Sequence, residues 1–215
     1  MKKVFLVRHG ETLANMNMTW QDSNDELSPR GFIQADKLAE RLVENTFDQV
    51  FCSSFKRARQ TAEVLTKRLG LTFIFSDLFT EVKNPSCLVG IKQENIPGNA
   101  VHDYLQMRDS ASDKDNFRFE DEETLSELIT RARETLELLA RSDGETMLAV
   151  THGTFMKTLV GVVLSQHEPT RSASEIFYAG RYMLTINTGI TVLTYNEDKK
   201  VWTLLTFNDH AHFAE

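Results

Sequence analysis

The sequence predicts an α/β protein: a three-layer α/β/α sandwich on a mainly parallel sheet, with one antiparallel edge strand and a lid-like insertion. Three observations predict it. Short apolar runs at residues 4–7, 48–53 and 146–151 alternate with longer segments of helical periodicity, as parallel strands joined by crossover helices require. The run Val4-Phe5-Leu6-Val7 has no polar interruption, which marks a strand buried on both faces. Near the C-terminus the alternation gives way to consecutive strand-like segments at 183–187, 190–195 and 201–207. The last two are joined through Asn196-Glu197-Asp198-Lys199 as a hairpin, which supplies antiparallel pairing.

The elements follow in order. After the first strand, residues 13–26 are polar and irregular, a loop over the strand ends. Ser28-Pro29 offers an N-cap followed by proline at the first helical position. Phe32, Ala35, Leu38, Ala39, Leu42 and Val43 then recur at helical spacing, predicting a helix over 29–45. A second helix is expected from Lys56 to Leu69, with Ala58, Ala62, Leu65 and Leu69 inward and Gly70 past its end. Residues 72–75 read as a short strand. From 76 to 121 the periodicity fails, which predicts an insertion over the crevice, with 109–116 a solvated loop. Helical spacing returns over 124–141 through Leu125, Leu128, Ile129, Ala132, Leu136 and Leu139, and residues 155–164 are apolar enough for a buried helix.

Composition narrows the function. A chain of 215 residues forms one domain with a proper core, so residues 1–215 are read as a single domain carrying an insertion at about 76–121. Its 24 basic and 31 acidic residues give a net charge of −7, which argues against nucleic acid or an anionic membrane as partner. Any phosphate site must be a local basic pocket. Two cysteines mark no disulfide framework, and no apolar run reaches membrane-spanning length, so a cytoplasmic location is expected.

Chemistry concentrates at strand ends. Arg8-His9-Gly10 closes the first strand, Ser53 and Arg57 follow the second, and Thr151-His152-Gly153 ends the third long run. In a parallel sheet these ends open on one edge, where α/β proteins place ligands. Two imidazoles and two guanidiniums form an anion pocket with a nucleophile, and helix N-termini after Ser53 and Gly153 add oriented N–H groups. Gly153-Thr154-Phe155-Met156-Lys157-Thr158 is no P-loop, because Met156 stands where glycine must precede the lysine. No Gly-x-Ser-x-Gly elbow occurs. His9, His152, His210 and His212 supply imidazoles for a metal, yet paired arginines repel a cation, and no metal or cofactor is expected.

These motifs resemble those of the histidine phosphatase superfamily, the phosphoglycerate mutase-like proteins. The resemblance rests on Arg8-His9-Gly10-Glu11-Thr12 with Asn15, on Leu27-Ser28-Pro29-Arg30-Gly31-Phe32-Ile33-Gln34-Ala35, on the stretch from Ser53 to Ala62 and on Thr151-His152-Gly153. The tail Asn208-Asp209-His210-Ala211-His212 extends it over nearly the whole chain. It implies that His9 is the nucleophile, that Arg8, Arg57 and His152 hold the phosphate, and that Asn15 and Gly153 help bind it. Glu81 stands where the family places its acid, although Lys83-Asn84-Pro85-Ser86 replaces the usual glycine and tryptophan spacing. Ser53 would orient an imidazole. The resemblance further implies a small phosphorylated substrate and favours a phosphatase, because Gly90-Ile91-Lys92-Gln93-Glu94-Asn95 lacks the mutases' arginine-rich segment. Phosphoryl transfer of the mutase type and a non-catalytic phosphoryl-ligand binder are the alternatives. The motifs specify neither the substrate nor the oligomeric state.

Overall fold

A computed structural model describes residues 1–93, 99–168 and 170–213. Within the expected 76–121 insertion, residues 94–98, including Glu94 and Asn95, lie outside the described residues. In chain order the elements are β1 (Lys2–Arg8), α1 (Leu13–Asn17), α2 (Pro29–Leu42), β2 (Gln49–Cys52), α3 (Lys56–Leu69) and β3 (Ile74–Phe75). They continue with α4 (Ala100–Ser110), α5 (Leu125–Arg141), β4 (Thr146–Thr151), α6 (Gly153–Leu164), α7 (Ala173–Ala179), β5 (Ile190–Asn196) and β6 (Val201–Asp209). The strands form one six-stranded sheet in the order β3-β2-β4-β1-β5-β6.

Strands β1 to β4 run parallel, and β5 runs antiparallel to β1 and to β6. The antiparallel strand expected at an edge is therefore one place in from it, and β6 forms the edge. Side-chain alternation builds the two outer layers. Val4, Leu6, Met147 and Ala149 pack with α5 and α6 on one face. Phe5, Val7, Leu148 and Val150 pack with α2 and α3 on the other. Gly70 ends α3 in the left-handed region, φ 68°, and donates its N–H to Thr66 O, as the sequence predicts for a glycine C-cap.

Three expectations are corrected. Residues 183–187 form no strand. They turn back across the strand ends, and Leu184 is exposed because the segment makes polar contacts to the β1 terminus instead of a ladder. The 13–26 loop contains α1, which is only five residues long but is closed by a capping box between Thr12 and Asn15. The 76–121 insertion holds α4, which escaped the periodicity search because only Val101 and Tyr104 on it are buried, too narrow a stripe to register. Phe32 and Val43 of the predicted α2 face are exposed, at its two ends.

The insertion and the 13–26 segment are joined. Leu88, Val101 and Tyr104 form a separate apolar cluster with Trp20, Ile91 and Phe119. Trp20 N–H donates to Ile91 O at 2.9 Å, and Gly90 N–H to Trp20 O at 2.9 Å. Trp20 and Gln93 of this unit line one cavity with Arg8, at the end of β1, and Gly153, just after β4. Among the described residues no helix is long and apolar enough to cross a membrane.

Candidate active site

The turn leaving β1 is fixed by two glycines. A Cβ on Gly10 would lie 2.5 Å from Gly31 O, and one on Gly31 would lie 2.1 Å from Glu11 O, so only glycines let the N-terminus of α2 meet this turn. Gly10 N–H donates to Thr61 Oγ1 of α3 at 3.0 Å. His9 is thereby set at the base of the crevice, with 1 % of its surface exposed.

The hydrogen bonds assign the tautomer of His9. Nδ1 lies 2.7 Å from Gly10 O, an acceptor only, so Nδ1 carries the proton. Nε2 keeps its lone pair and accepts from Arg57 Nε at 3.1 Å. The pKa of His9 falls well below the usual range, because burial disfavours the cation and Arg57 and Arg8 repel it, against a smaller opposing pull from the Gly10 carbonyl. The imidazole is neutral, with its nucleophilic nitrogen turned toward guanidinium.

His152 caps α6 from the end of β4, its ring centroid 5.1 Å from that of His9. Its Nε2 lies 2.8 Å from Ser53 Oγ. Ser53 Oγ also accepts from Phe55 N–H at 3.2 Å, so the hydroxyl ties the ring to the start of α3 and orients it. Burial first, then Arg57, His9, Arg8 and Arg131, hold this imidazole well below its usual pKa.

Arg57 joins His9 to a cavity of about 240 Å³, lined by Arg8, Asn15, Arg57, Glu81, Gly153 and Lys157, with Trp20 and Thr185 among its further walls. Arg8 is held through Nη1 by Thr185 O at 2.6 Å. A side chain at position 153 would meet Thr185 Oγ1 at 2.7 Å and Arg8 Nε at 3.2 Å, so Gly153 keeps the arginine in place. Burial lowers the pKa of Arg57 to about 10, an effect partly offset by Glu81, Asp25 and Asp22, so it remains a cation at neutral pH. Glu81 accepts the N–H groups of Thr154 (3.1 Å) and Phe155 (2.8 Å) at the start of α6. Arg8 Nε and Trp20 Nε1 are buried donors, and His152 Nδ1 a buried ring nitrogen, with no protein partner among the described residues. Orphaned donors on Arg8 and Trp20, both in the lining of this cavity, fit an oxyanion with several acceptor oxygens.

A family model for the histidine phosphatase superfamily (branch 1) matches residues 4–210. The chain belongs to the histidine phosphatase superfamily. It is 27 % identical over 216 residues to phosphoglycerate mutase-like protein 4 of Arabidopsis thaliana, covering 99 % of this chain and 87 % of that one. Among solved structures, it resembles a mycobacterial glucosyl-3-phosphoglycerate phosphatase complexed with VO3. There the TM-score is 0.78 at 21 % identity, over 98 % of this chain and 100 % of the other. It also resembles an Entamoeba histolytica phosphoserine phosphatase in complex with 3-phosphoglyceric acid, with TM-score 0.75 and 22 % identity over 99 % of both chains.

The histidine phosphatase fold brings Arg8, His9, Asn15, Arg57, Glu81, His152 and Gly153 to one place. Asn15 serves the cap of α1 as well: its Oδ1 accepts from Thr12 N–H and from Asn187 Nδ2, each at 3.2 Å. Asn187, Thr185, Trp20 and Lys157 are site residues that sequence reasoning missed. Asn187 also donates to His9 O at 3.0 Å, and reading 183–187 as a strand concealed it. His210 and His212 are not brought to His9. His212 contacts Arg41 and Thr188 on the terminal turn, and among the described residues no cluster of His, Cys, Asp and Glu is arranged to hold a metal.

Proposed function

We propose that the protein is a phosphomonoesterase that hydrolyses a small phosphorylated metabolite through a phosphohistidine at His9. The observation that carries this reading is the double hydrogen bond on the His9 ring, with Gly10 O fixing the proton on Nδ1 and Arg57 Nε waiting on the Nε2 lone pair. An arriving phosphate offers Arg57 a charged acceptor in place of the neutral nitrogen, which moves the guanidinium onto oxygen and frees Nε2. Nε2 then attacks phosphorus as the ester P–O bond breaks, and the leaving oxygen takes a proton from Glu81. Arg8, Arg57 and His152 hold the equatorial oxygens as charge redistributes. Water, deprotonated by Glu81, attacks the phosphohistidine, releasing phosphate and restoring His9. The two guanidiniums supply the positive charge that a metal would otherwise bring, and they support a metal-independent reaction.

A mutase shares the first half of this cycle and differs in the acceptor, a second hydroxyl replacing water. Water is favoured because the sequence Gly90-Ile91-Lys92-Gln93-Glu94-Asn95 offers one lysine and no arginine-rich clamp. The test is acid-labile, base-stable phosphate on denatured enzyme quenched during turnover, present in the wild type and absent in His9→Ala. Near-normal turnover by His9→Ala would refute the mechanism, and isomerisation of a phosphorylated hydroxy acid without phosphate release would transfer the reading to the mutase.

A further inference from the structure

A second pocket, of about 210 Å³, adjoins the phosphate cavity, sharing Thr154 and Lys157 with it, and is further lined by Arg108, Thr158, Tyr178 and Arg181. These residues come from the end of α4, from α6 and from the end of α7 and the turn after it. Three cations line it against one carboxylate, Asp109, whose Oδ1 is 3.8 Å from Arg108 Nε, beyond hydrogen-bonding distance. Among the described residues Lys157 and Arg181 have no salt-bridge partner, and Arg108 Nε and Tyr178 Oη are buried polar atoms without a hydrogen-bond partner. Two buried polar groups without a partner, beside one small pocket that gathers three cations, favour a bound anion.

The position of Lys157 connects this pocket with the first. It lies one helical turn beyond Gly153, about 6 Å along α6, and is a half-buried residue that lines both cavities. On the side of Glu81 the phosphate cavity adjoins a wider cleft of about 640 Å³, where Lys83, Arg118 and Arg131 are already paired with Asp121, Glu127 and Glu123 and the further carboxylates Asp22, Asp77 and Glu122 disfavour a second negative charge. A ligand with two anionic ends is thus directed toward Lys157.

We propose that this pocket is a second anion subsite, selecting phosphomonoesters whose alcohol portion ends in a carboxylate or a second phosphate. The inference deepens the phosphatase reading and rests on it for the word substrate. The subsite itself rests on the orphaned donors and unpaired cations. Because the whole molecule carries −7, its overall field disfavours an added anion, so any preference for one must arise locally.

The test uses non-hydrolysable alkylphosphonates titrated calorimetrically into the intact protein. Three- and six-carbon chains end in a hydroxyl, a carboxylate or a second phosphonate. At one length or both, an anionic end should tighten binding about tenfold to a hundredfold over the hydroxyl end, the worth of a charge-assisted hydrogen bond. The better of the two anionic ends identifies the group. Lys157→Met, which keeps the apolar stem, should reduce the gain to about twofold or less, and Arg181→Ala, at an exposed position that folding tolerates, should diminish it. No gain at either length, or a gain that survives both variants, overturns the subsite. Turnover of an aryl phosphate by the same preparation separates the two claims: a gain without turnover refutes the phosphatase, and turnover without a gain refutes the subsite.

Discussion

Glu81 has two demands on its carboxylate. Oε2 accepts from Thr154 N–H, and Oε1 accepts from the N–H groups of Phe155 and Val82, so both oxygens anchor backbone while the proposed reaction needs one of them to deliver a proton. Glu81→Gln removes the transferable proton and also turns an amide NH2 toward an N–H donor, losing part of the α6 cap at a cost of about 0.5–2 kcal/mol. Alkyl phosphates leave as basic alkoxides and need the proton, whereas an activated aryl phosphate hardly does. In single-turnover experiments Glu81→Gln should slow phosphohistidine formation from an alkyl phosphate by about 10²–10⁴-fold and from an aryl phosphate much less. Equal slowing of both would leave Glu81 a positioning role alone. The residues at strand ends, Arg8, His9, Ser53, Arg57 and His152, were legible because a strand followed by a basic or imidazole side chain is a local pattern. Asn187 and Thr185 were not, because their contacts to His9 O and Arg8 are made by an irregular turn whose Met183 and Leu184 suggest a strand.

Among the elements, those with a strong periodic face and a chemical stop were legible nearly to the residue. Helix α3 has Ala58, Ala62 and Leu65 inward and Gly70 as its stop, and β4 is a continuous apolar run buried on both faces. Helix α4 packs through two residues against Trp20 and Phe119, so its helicity depends on a partner distant in sequence. The junction of β1 and α2 gives the clearest prediction at this scale. A Cβ on Gly31 would face backbone, Glu11 O at 2.1 Å, whereas one on Gly70 would face open space and meet only the strain of φ 68°. Gly31→Ala should destabilise by about 2–4 kcal/mol, lowering Tm by roughly 5–15 °C, and should displace the His9 turn. Gly70→Ala should cost about 1 kcal/mol. Thermal melts of the two variants make the comparison, and an equal, small loss in both would mean that the β1 turn and α2 yield to one another.

At the scale of the whole molecule, an acidic protein has buried two neutral imidazoles under two arginines, and its acid stability should reflect them. His9 and His152 are both held neutral in the fold, well below the ordinary pKa of about 6.5 that each regains on unfolding. The unfolded chain therefore binds more protons below that value, and stability falls as pH falls, beginning near 6.5 and continuing down to the depressed folded pKa values. Each group contributes at most about 1.4 kcal/mol per pH unit, so the pair should cost about 2–3 kcal/mol between pH 7.5 and 5.5. For a chain of this length that loss corresponds to a Tm lower by about 5–12 °C. His9→Ala should roughly halve the loss, and more than halve it where His152 is relieved of its neighbour's charge. Saturating inorganic phosphate should oppose it, because an anion beside the rings favours their charged forms, and its stabilising effect should be larger at pH 5.5 than at 7.5. Denaturant melts at the two pH values, with and without phosphate, decide the matter. Stability independent of pH over this range would mean that the two histidines take up protons in the fold as readily as in the unfolded chain, and a His9 that becomes cationic there has no lone pair on Nε2 with which to attack phosphorus.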